Sequence, residues 1–209
     1  STSLSVDEDD AATSLSTLLE VDDSDTGQTL TWSVASAPSN GTLSGFPATA
    51  TSGTGVQPSG VTYEPNTDFS GSDSFEIQVD DGNGGTATIT VNVTVNNLAP
   101  VFSSAATASF AENGTGTVLD NDATNGGDGT ADSGVTYSIS GTDAGAFTID
   151  AATGALSFST APDAESPTDA GGNNEYLVDV IADDGASTNN TTTQSVTVTV
   201  TDVTEAPTA

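Results

Sequence analysis

An all-β fold arranged as two tandem β-sandwich domains is what this 209-residue sequence predicts. Two observations carry that expectation. Apolar and polar residues alternate with a period of two in several stretches, and the pattern of the first half returns about a hundred residues later. Period-two alternation marks a strand with one buried and one wet face. The spacers are rich in Gly, Asn, Asp and Pro, the residues that turns between strands require. No stretch of useful length shows a helical period.

Taken in order, the first alternating run is Leu30, Trp32 and Val34, followed by Phe75, Ile77 and Val79. The run Thr86–Val95 reads TATITVNVTV, with Ala87, Ile89, Val91, Val93 and Val95 on one face. In the second half come Val135, Tyr137 and Ile139, then Tyr176, Val178 and Val180. The run from Gln194 closes the series, with Val196, Val198 and Val200 inward and Thr197, Thr199 and Thr201 outward. Each inward Val or Ile contributes roughly 1.5–3 kcal/mol by leaving water. Each long strand follows an acidic turn, Asp80-Asp81-Gly82 or Asp183-Asp184-Gly185, and precedes an Ala-Pro pair, Ala99-Pro100 or Ala206-Pro207. That shared order predicts domains at 1–98 and 99–209, each the size of one sandwich.

Composition limits the chemistry. The chain has 30 Asp plus Glu, a formal net charge of −30, and no Lys, Arg, His, Cys or Met. It therefore lacks a Ser-His-Asp triad, a thiol nucleophile, a Schiff-base lysine, and thiolate or imidazole metal ligands. The reading is not an enzyme. Without a cation it has no clamp for nucleic acid, and no run approaches the ~20 apolar residues of a membrane helix, so no membrane insertion is expected. Val, Leu, Ile and Phe make up about 19% of residues, which borders on the disordered range at this charge. The strand pattern decides against disorder. Like charges must then be neutralised by bound cations or concentrated salt.

Phe110-Ala-Glu112-Asn113, Val135–Gly154, Pro162-Asp163-Ala-Glu165, Tyr176–Gly185 and Asp202-Val-Thr-Glu205-Ala-Pro207 together resemble a cadherin repeat of bacterial surface proteins. Val6-Asp-Glu8-Asp9, Asn40-Gly-Thr42, Tyr63-Glu-Pro65-Asn66, Phe69–Phe75 and Asp81–Gly85 resemble a cadherin-like tandem repeat of large adhesins. The resemblance implies two seven-stranded Greek-key sandwiches of cadherin/Ig-like type, arranged end to end with Ca²⁺ at the joints. It also implies that Glu8, Asp73 and Asn97 from the first domain meet Asp184 with Asp128 or Asp132 from the second.

Lettering seven antiparallel strands A to G puts the A–B loop, the E–F loop and the exit of G at one end of each sandwich. That exit end should collect Glu112, Asp163, Glu165, Asp202 and Glu205 in domain two, and Glu8, Asp9, Asp73, Asn96 and Asn97 in domain one. The far end should collect Asp23, Asp25 and Asp81, flanked by Asp22, in domain one. In domain two it should collect Asp183 and Asp184 with some of Asp122, Asn125, Asp128 and Asp132. Ca²⁺ takes six to eight oxygen ligands, which such carboxylates and amides supply; Mg²⁺ keeps its waters and fits less well. Asp120, Asp143, Asp150 and Asp179 read as solvated surface charge. Trp32, the single Trp, reads as core.

The expected function is a noncatalytic, extracellular, calcium-binding structural and adhesive module. Several ions would rigidify a rod and link copies or adjacent repeats head to tail into a fibre or array. A cell-surface glycan or protein is a further class of partner. A carbohydrate-binding sandwich is the competing reading, and it needs an exposed aromatic platform from Trp32, Tyr63, Tyr137 or Tyr176. The tripeptides beginning at Asn92, Asn113, Asn189 and Asn190 have the form of glycosylation acceptors, a form that arises easily by chance in a chain so rich in Thr and Asn.

Overall fold

The longest alternating runs form the longest strands of the computed structural model, which describes residues 1–126 and 134–205. The chain divides into two compact units, Ser1–Asn97 and Leu98–Ala209. The first contains β1 (Thr2–Asp7), β2 (Thr13–Ser14), β3 (Thr29–Ser36), β4 (Gly41–Ser44), β5 (Ala48–Thr51), β6 (Thr62–Pro65), β7 (Gly71–Asp80) and β8 (Thr86–Asn96). One sheet has the order β1-β8-β7-β3-β5 and the other β2-β6-β4. β1 runs parallel to β8, while the other pairings are antiparallel. The first strand thereby lies beside the last, and the N-terminal segment leaves the sheet where the C-terminal one does.

The second unit repeats this plan with β9 (Val101–Phe102), β10 (Thr107–Ala111), β11 (Thr117–Asp120), β12 (Ala123–Thr124), β13 (Thr136–Ser140), β14 (Phe147–Ile149), β15 (Ala155–Phe158), β16 (Glu175–Asp183) and β17 (Thr191–Thr201). Its sheets are β10-β17-β16-β13 and β11-β15-β14, seven strands in all, with a β12-β9 pair beside them. The first unit has one strand more in its two sheets. β5 adds to the edge of β3 after the chain crosses between sheets at Gly45, whose φ is +82° and where any side chain would collide with the Gly60 carbonyl.

Each unit has its own core. In the first, Trp32, Tyr63 and Phe75 are fully buried with Leu15, Leu19 and Ile77, and the Trp32 Nε1–H donates to the Leu19 carbonyl at 2.9 Å. In the second, Tyr176 meets Phe147 and Phe158 edge to face, those two rings are tilted against each other, and Val178, Val196 and Val198 belong to the same core. The backbone N–H of Ala123 donates to the Tyr137 hydroxyl at 2.7 Å. Indole and phenol groups this deep need a polar partner, and these have one. Val34 pairs directly with the buried Ile77 and so keeps the period-two face, yet it is 39% exposed, and the β3–β7 register shifts immediately after it, between Val34 and Ser36.

Burial of all four candidate aromatics also removes the platform that sugar stacking would need. Trp32 and Tyr63 are 0% exposed, Tyr176 1% and Tyr137 4%.

Candidate metal centre

Parallel pairing of β10 with β17 sets Ala111 opposite Thr201, so the next residues on the two strands, Glu112 and Asp202, leave the sheet together. The Glu112 N–H continues the ladder to the Thr201 carbonyl at 3.0 Å. Asn113 then turns the chain with φ of +59° and donates its N–H to the Pro162 carbonyl at 2.8 Å. That bond draws in the loop after β15. Within the loop, Asp163 Oδ1 accepts from the N–H groups of Glu165 (3.0 Å) and Ser166 (3.1 Å), a tight Asx-type turn.

Glu112 is the organising residue. It is only 3% exposed, and its two oxygens accept from Val203 N–H and Ala164 N–H, each at 2.7 Å. Asp163 and Glu165 are exposed beside it, and one ligand oxygen from each of the three lies within 4.8 Å of the others. Within either unit, among the described residues, no other three acidic side chains come so close. Oxygens no further apart than about twice a 2.4 Å Ca–O bond can share one ion. The donor set is all oxygen, which suits a hard cation and not a soft one.

The charges respond to this crowding in opposite ways. The N–H groups of Val203 and Ala164 hold Glu112 below its ordinary value of 4.5. For Glu165 its own backbone N–H pulls downward, but desolvation and the neighbouring charges of Glu112 and Asp202 outweigh it, and the value rises. One carboxylate is thus fixed as an anion, and the next is ionised against repulsion that a cation would relieve. Asn113 Nδ2–H donates a hydrogen bond to Glu205 Oε1 at 2.6 Å, so the residues after β17 also bend toward this end.

The first unit builds the same turn with fewer charges. Glu8 is 1% exposed and donates its N–H to Asn96 O at 2.9 Å, and Asp9 has φ of +60°. The following loop is Pro65-Asn66-Thr67-Asp68 where the second unit has Pro162-Asp163-Ala164-Glu165. The closing bonds correspond: Phe69 N–H to Asn66 O at 3.2 Å and Ser166 N–H to Asp163 O at 3.3 Å. Asp68 N–H donates to Asp9 Oδ1 at 3.1 Å. Sequence reasoning placed Asp73 here and missed Asn66 and Asp68, although the shared Pro-x-x-acid spacing could have found them. Asp73 instead lies inside β7 opposite Val93. Its oxygens accept from the N–H groups of Ser39, Asn40 and Ser74 and from the Tyr63 hydroxyl, at 2.8–3.1 Å. Burial and this carboxylate push the Tyr63 hydroxyl well above its ordinary value.

At the far end of the first unit, Asp22, Asp23 and Asp81 line one depression of about 200 Å³. Their oxygens serve their own loops. Asp22 accepts from Gly55 N–H at 2.7 Å, Asp23 from Asp25 N–H at 3.0 Å, and Asp81 from Asn83 and Gly85 N–H at 2.7 and 2.9 Å. Asp25 holds the Gln28 amide at 3.3 Å and lies outside the lining of that depression. In the second unit, Asp183 accepts from Gly185 N–H and the Asn190 amide, and Asp184 from Ala186 N–H. Asp128 and Asp132 fall outside the described residues. Asn97 is 7% exposed at the end of the first unit, and Asp202 is exposed at the end of β17.

Asp143, expected as surface charge, is 8% exposed, and Asp169 is 6% exposed. Asp143 accepts from Ala170 N–H (2.8 Å) and Leu177 N–H (2.7 Å), and Asp169 from Asn173 and Asn174 N–H (3.1 and 3.0 Å). These two carboxylates tie down the loop between β15 and β16 with backbone donors alone. Asp150, exposed as expected, caps its turn through Ala152 and Thr153 N–H, which hold it below its ordinary value.

Residues 1–94 match the family profile described as bacterial Ig domain, and residues 106–201 match the cadherin domain. Halomucin of Haloquadratum walsbyi (strain DSM 16790 / HBSQ001) is 45% identical over 91 residues, which is 43% of this chain and 1% of that protein. Among solved structures, Drosophila N-cadherin EC1-3 is 20% identical with a TM-score of 0.42, covering 86% of this chain and 57% of that one. Mouse Cadherin-23 EC22-24 is likewise 20% identical with a TM-score of 0.42, covering 97% of this chain and 63% of that one.

Proposed function

Taking the chain as a tandem of cadherin-like repeats, we propose that it is a noncatalytic extracellular module that binds Ca²⁺ at domain ends and is stiffened by it. The observation that carries this reading is the Glu112–Asp163–Glu165 group, three converging carboxylates in a chain without a single basic side chain. Glu112 is already held by two backbone donors, so the ion would meet a positioned ligand, with Asp163 and Glu165 completing that side and Asp202 adjacent. When bound, Ca²⁺ supplies charge neutralisation and nothing catalytic. The chain's own residues do the rest: the turn at Asn113 and the Asp163 Asx turn fix where the oxygens stand.

Three carboxylates do not fill six to eight positions. The remaining ligands would come from Asp202, water, and the start of a following repeat or a second copy. Binding would then join units head to tail, giving a fibre or array in which each ion replaces repulsion with a bridge. Bound metal also stabilises the folded state by mass action, because the unfolded chain holds no preformed site.

Thermal unfolding in Ca²⁺, Mg²⁺ and chelator tests the site, and light scattering with electron microscopy under the same conditions tests the assembly. The account expects a calcium-specific rise in midpoint and calcium-dependent growth of particles. Equal midpoints in Ca²⁺ and chelator would overturn the metal reading. Calcium-independent monomers at high concentration would overturn the head-to-tail reading alone.

A further inference from the structure

Of the five Asn-x-Ser/Thr tripeptides, four are already occupied by the fold or bent away from an extended form. Asn40, followed by Gly41 and Thr42, is half-buried in the bend between β3 and β4. Asn113 has φ of +59° and its Nδ2 donates to Glu205 Oε1 at 2.6 Å. Asn190 is half-buried and its Nδ2 donates to Asp183 Oδ1 at 3.2 Å. Asn189 has φ of +51° in the connection between β16 and β17, which breaks the extended relation to Thr191.

Asn92 differs in each respect. It lies in the regular part of β8, exposed, with Val91 and Val93 buried on either side and Thr94 exposed two residues on. In a strand, positions i and i+2 share a face, so the carboxamide and the Thr94 hydroxyl point the same way into solvent. Its side chain makes no hydrogen bond to any described residue. The directly opposed residues are Ser3 on β1 and Ser74 on β7, both small. Beside it runs a polar depression of about 440 Å³ lined by Ser39, Asn40, Ser72, Ser74 and Thr94 among others. Hydroxyls and amides of that kind suit the ring oxygens and hydroxyls of a sugar.

We propose that Asn92 is the N-glycosylation site of this chain and that the other four tripeptides stay bare. The donor class is a lipid-linked sugar phosphate or pyrophosphate. Asn92 Nδ2 attacks the sugar C1, forming the N–C1 bond. The C1–O bond to phosphate breaks, its electron pair leaves with the phosphate, and the amide gives up one proton to the transferase or solvent. The glycan would project from the outer face of β8.

The test uses the full chain secreted from a host with an oligosaccharyltransferase. Trypsin has nowhere to cut, but cleavage after Glu separates the candidates: residues 21–76 carry Asn40, 77–112 carry Asn92, 113–165 carry Asn113, and 176–205 carry Asn189 and Asn190. Mass spectrometry of these peptides should find sugar on 77–112 only. Thr94→Ala and Asn92→Gln should remove it completely, and Thr94→Ser should keep it. A bare 77–112 peptide, sugar on any of the other peptides, or sugar that survives Thr94→Ala would each overturn the proposal. None of these results bears on calcium binding, whose readout is the unfolding midpoint.

Discussion

Replacing Glu165 with Gln should change stability in opposite directions with and without calcium. The folded-state value of Glu165 is raised by desolvation and by the charges of Glu112 and Asp202, against the pull of its own N–H. A carboxylate whose folded value is raised favours folding only below its unfolded value. Above the folded value its charge opposes folding, which is the state at neutral pH. Without metal, Glu165→Gln removes that repulsion, and the midpoint of the second domain should rise. With metal, the same substitution deletes a ligand. Outer-shell partners alone are worth about 10–100-fold in metal affinity, so a direct ligand is worth at least the lower end.

At a calcium concentration of about 100 times Kd, bound ion stabilises by about 2.7 kcal/mol. A tenfold weaker site keeps about 1.4 kcal/mol of that. For a domain of this size one kcal/mol is about 4–8 °C, so the loss is about 5–10 °C in calcium. The assay is far-UV circular dichroism melting of wild type and variant in chelator and in millimolar Ca²⁺. A variant that melts lower than wild type in both buffers, or that keeps the full calcium shift, would refute the reasoning.

Asp143→Ala should lower the midpoint equally in calcium and chelator. It leaves the N–H groups of Ala170 and Leu177 without an acceptor, at a cost of about 1–3 kcal/mol readable from denaturant melts. Asp169 is raised by desolvation but lowered on balance by the N–H groups of Asn173 and Asn174, below its ordinary 3.8. Its contribution is therefore full above that ordinary value and is lost as pH falls through the lowered one; acid titration in chelator should show this limb, and Asp169→Asn should flatten it. Trp32 is the single Trp and is buried in the first domain, so its emission reports that domain alone. The first domain's end carries Asn66 and Asn97 where the second carries Asp163 and Asp202, so the fluorescence midpoint should shift less with calcium than the dichroism midpoint of the second domain.

The strands were legible because alternation along a sheet is a local pattern: Val91, Val93 and Val95 and Val196, Val198 and Val200 are buried with Thr or Asn between them. Convergence of Glu112 with Asp163 and Glu165 was legible too, since a topology that lays β10 beside β17 leaves their next residues at one end. What escaped depended on register and hydrogen bonding. The register irregularity in β3 begins just after Val34, which is left 39% exposed although it pairs with Ile77. Asp73 looked like a loop residue but sits three positions inside a paired strand, with its oxygens taken by the Ser39–Asn40 turn. Asp143 and Asp169 are buried because backbone N–H groups surround them, and nothing in the neighbouring residue types announces that.

The most direct measurement is anomalous diffraction from crystals grown in Ca²⁺ or a lanthanide substitute. The account predicts an ion about 2.3–2.6 Å from oxygens of Glu112, Asp163 and Glu165. An ordered second domain with those three carboxylates splayed apart and no ion peak among them, in saturating calcium, would contradict it.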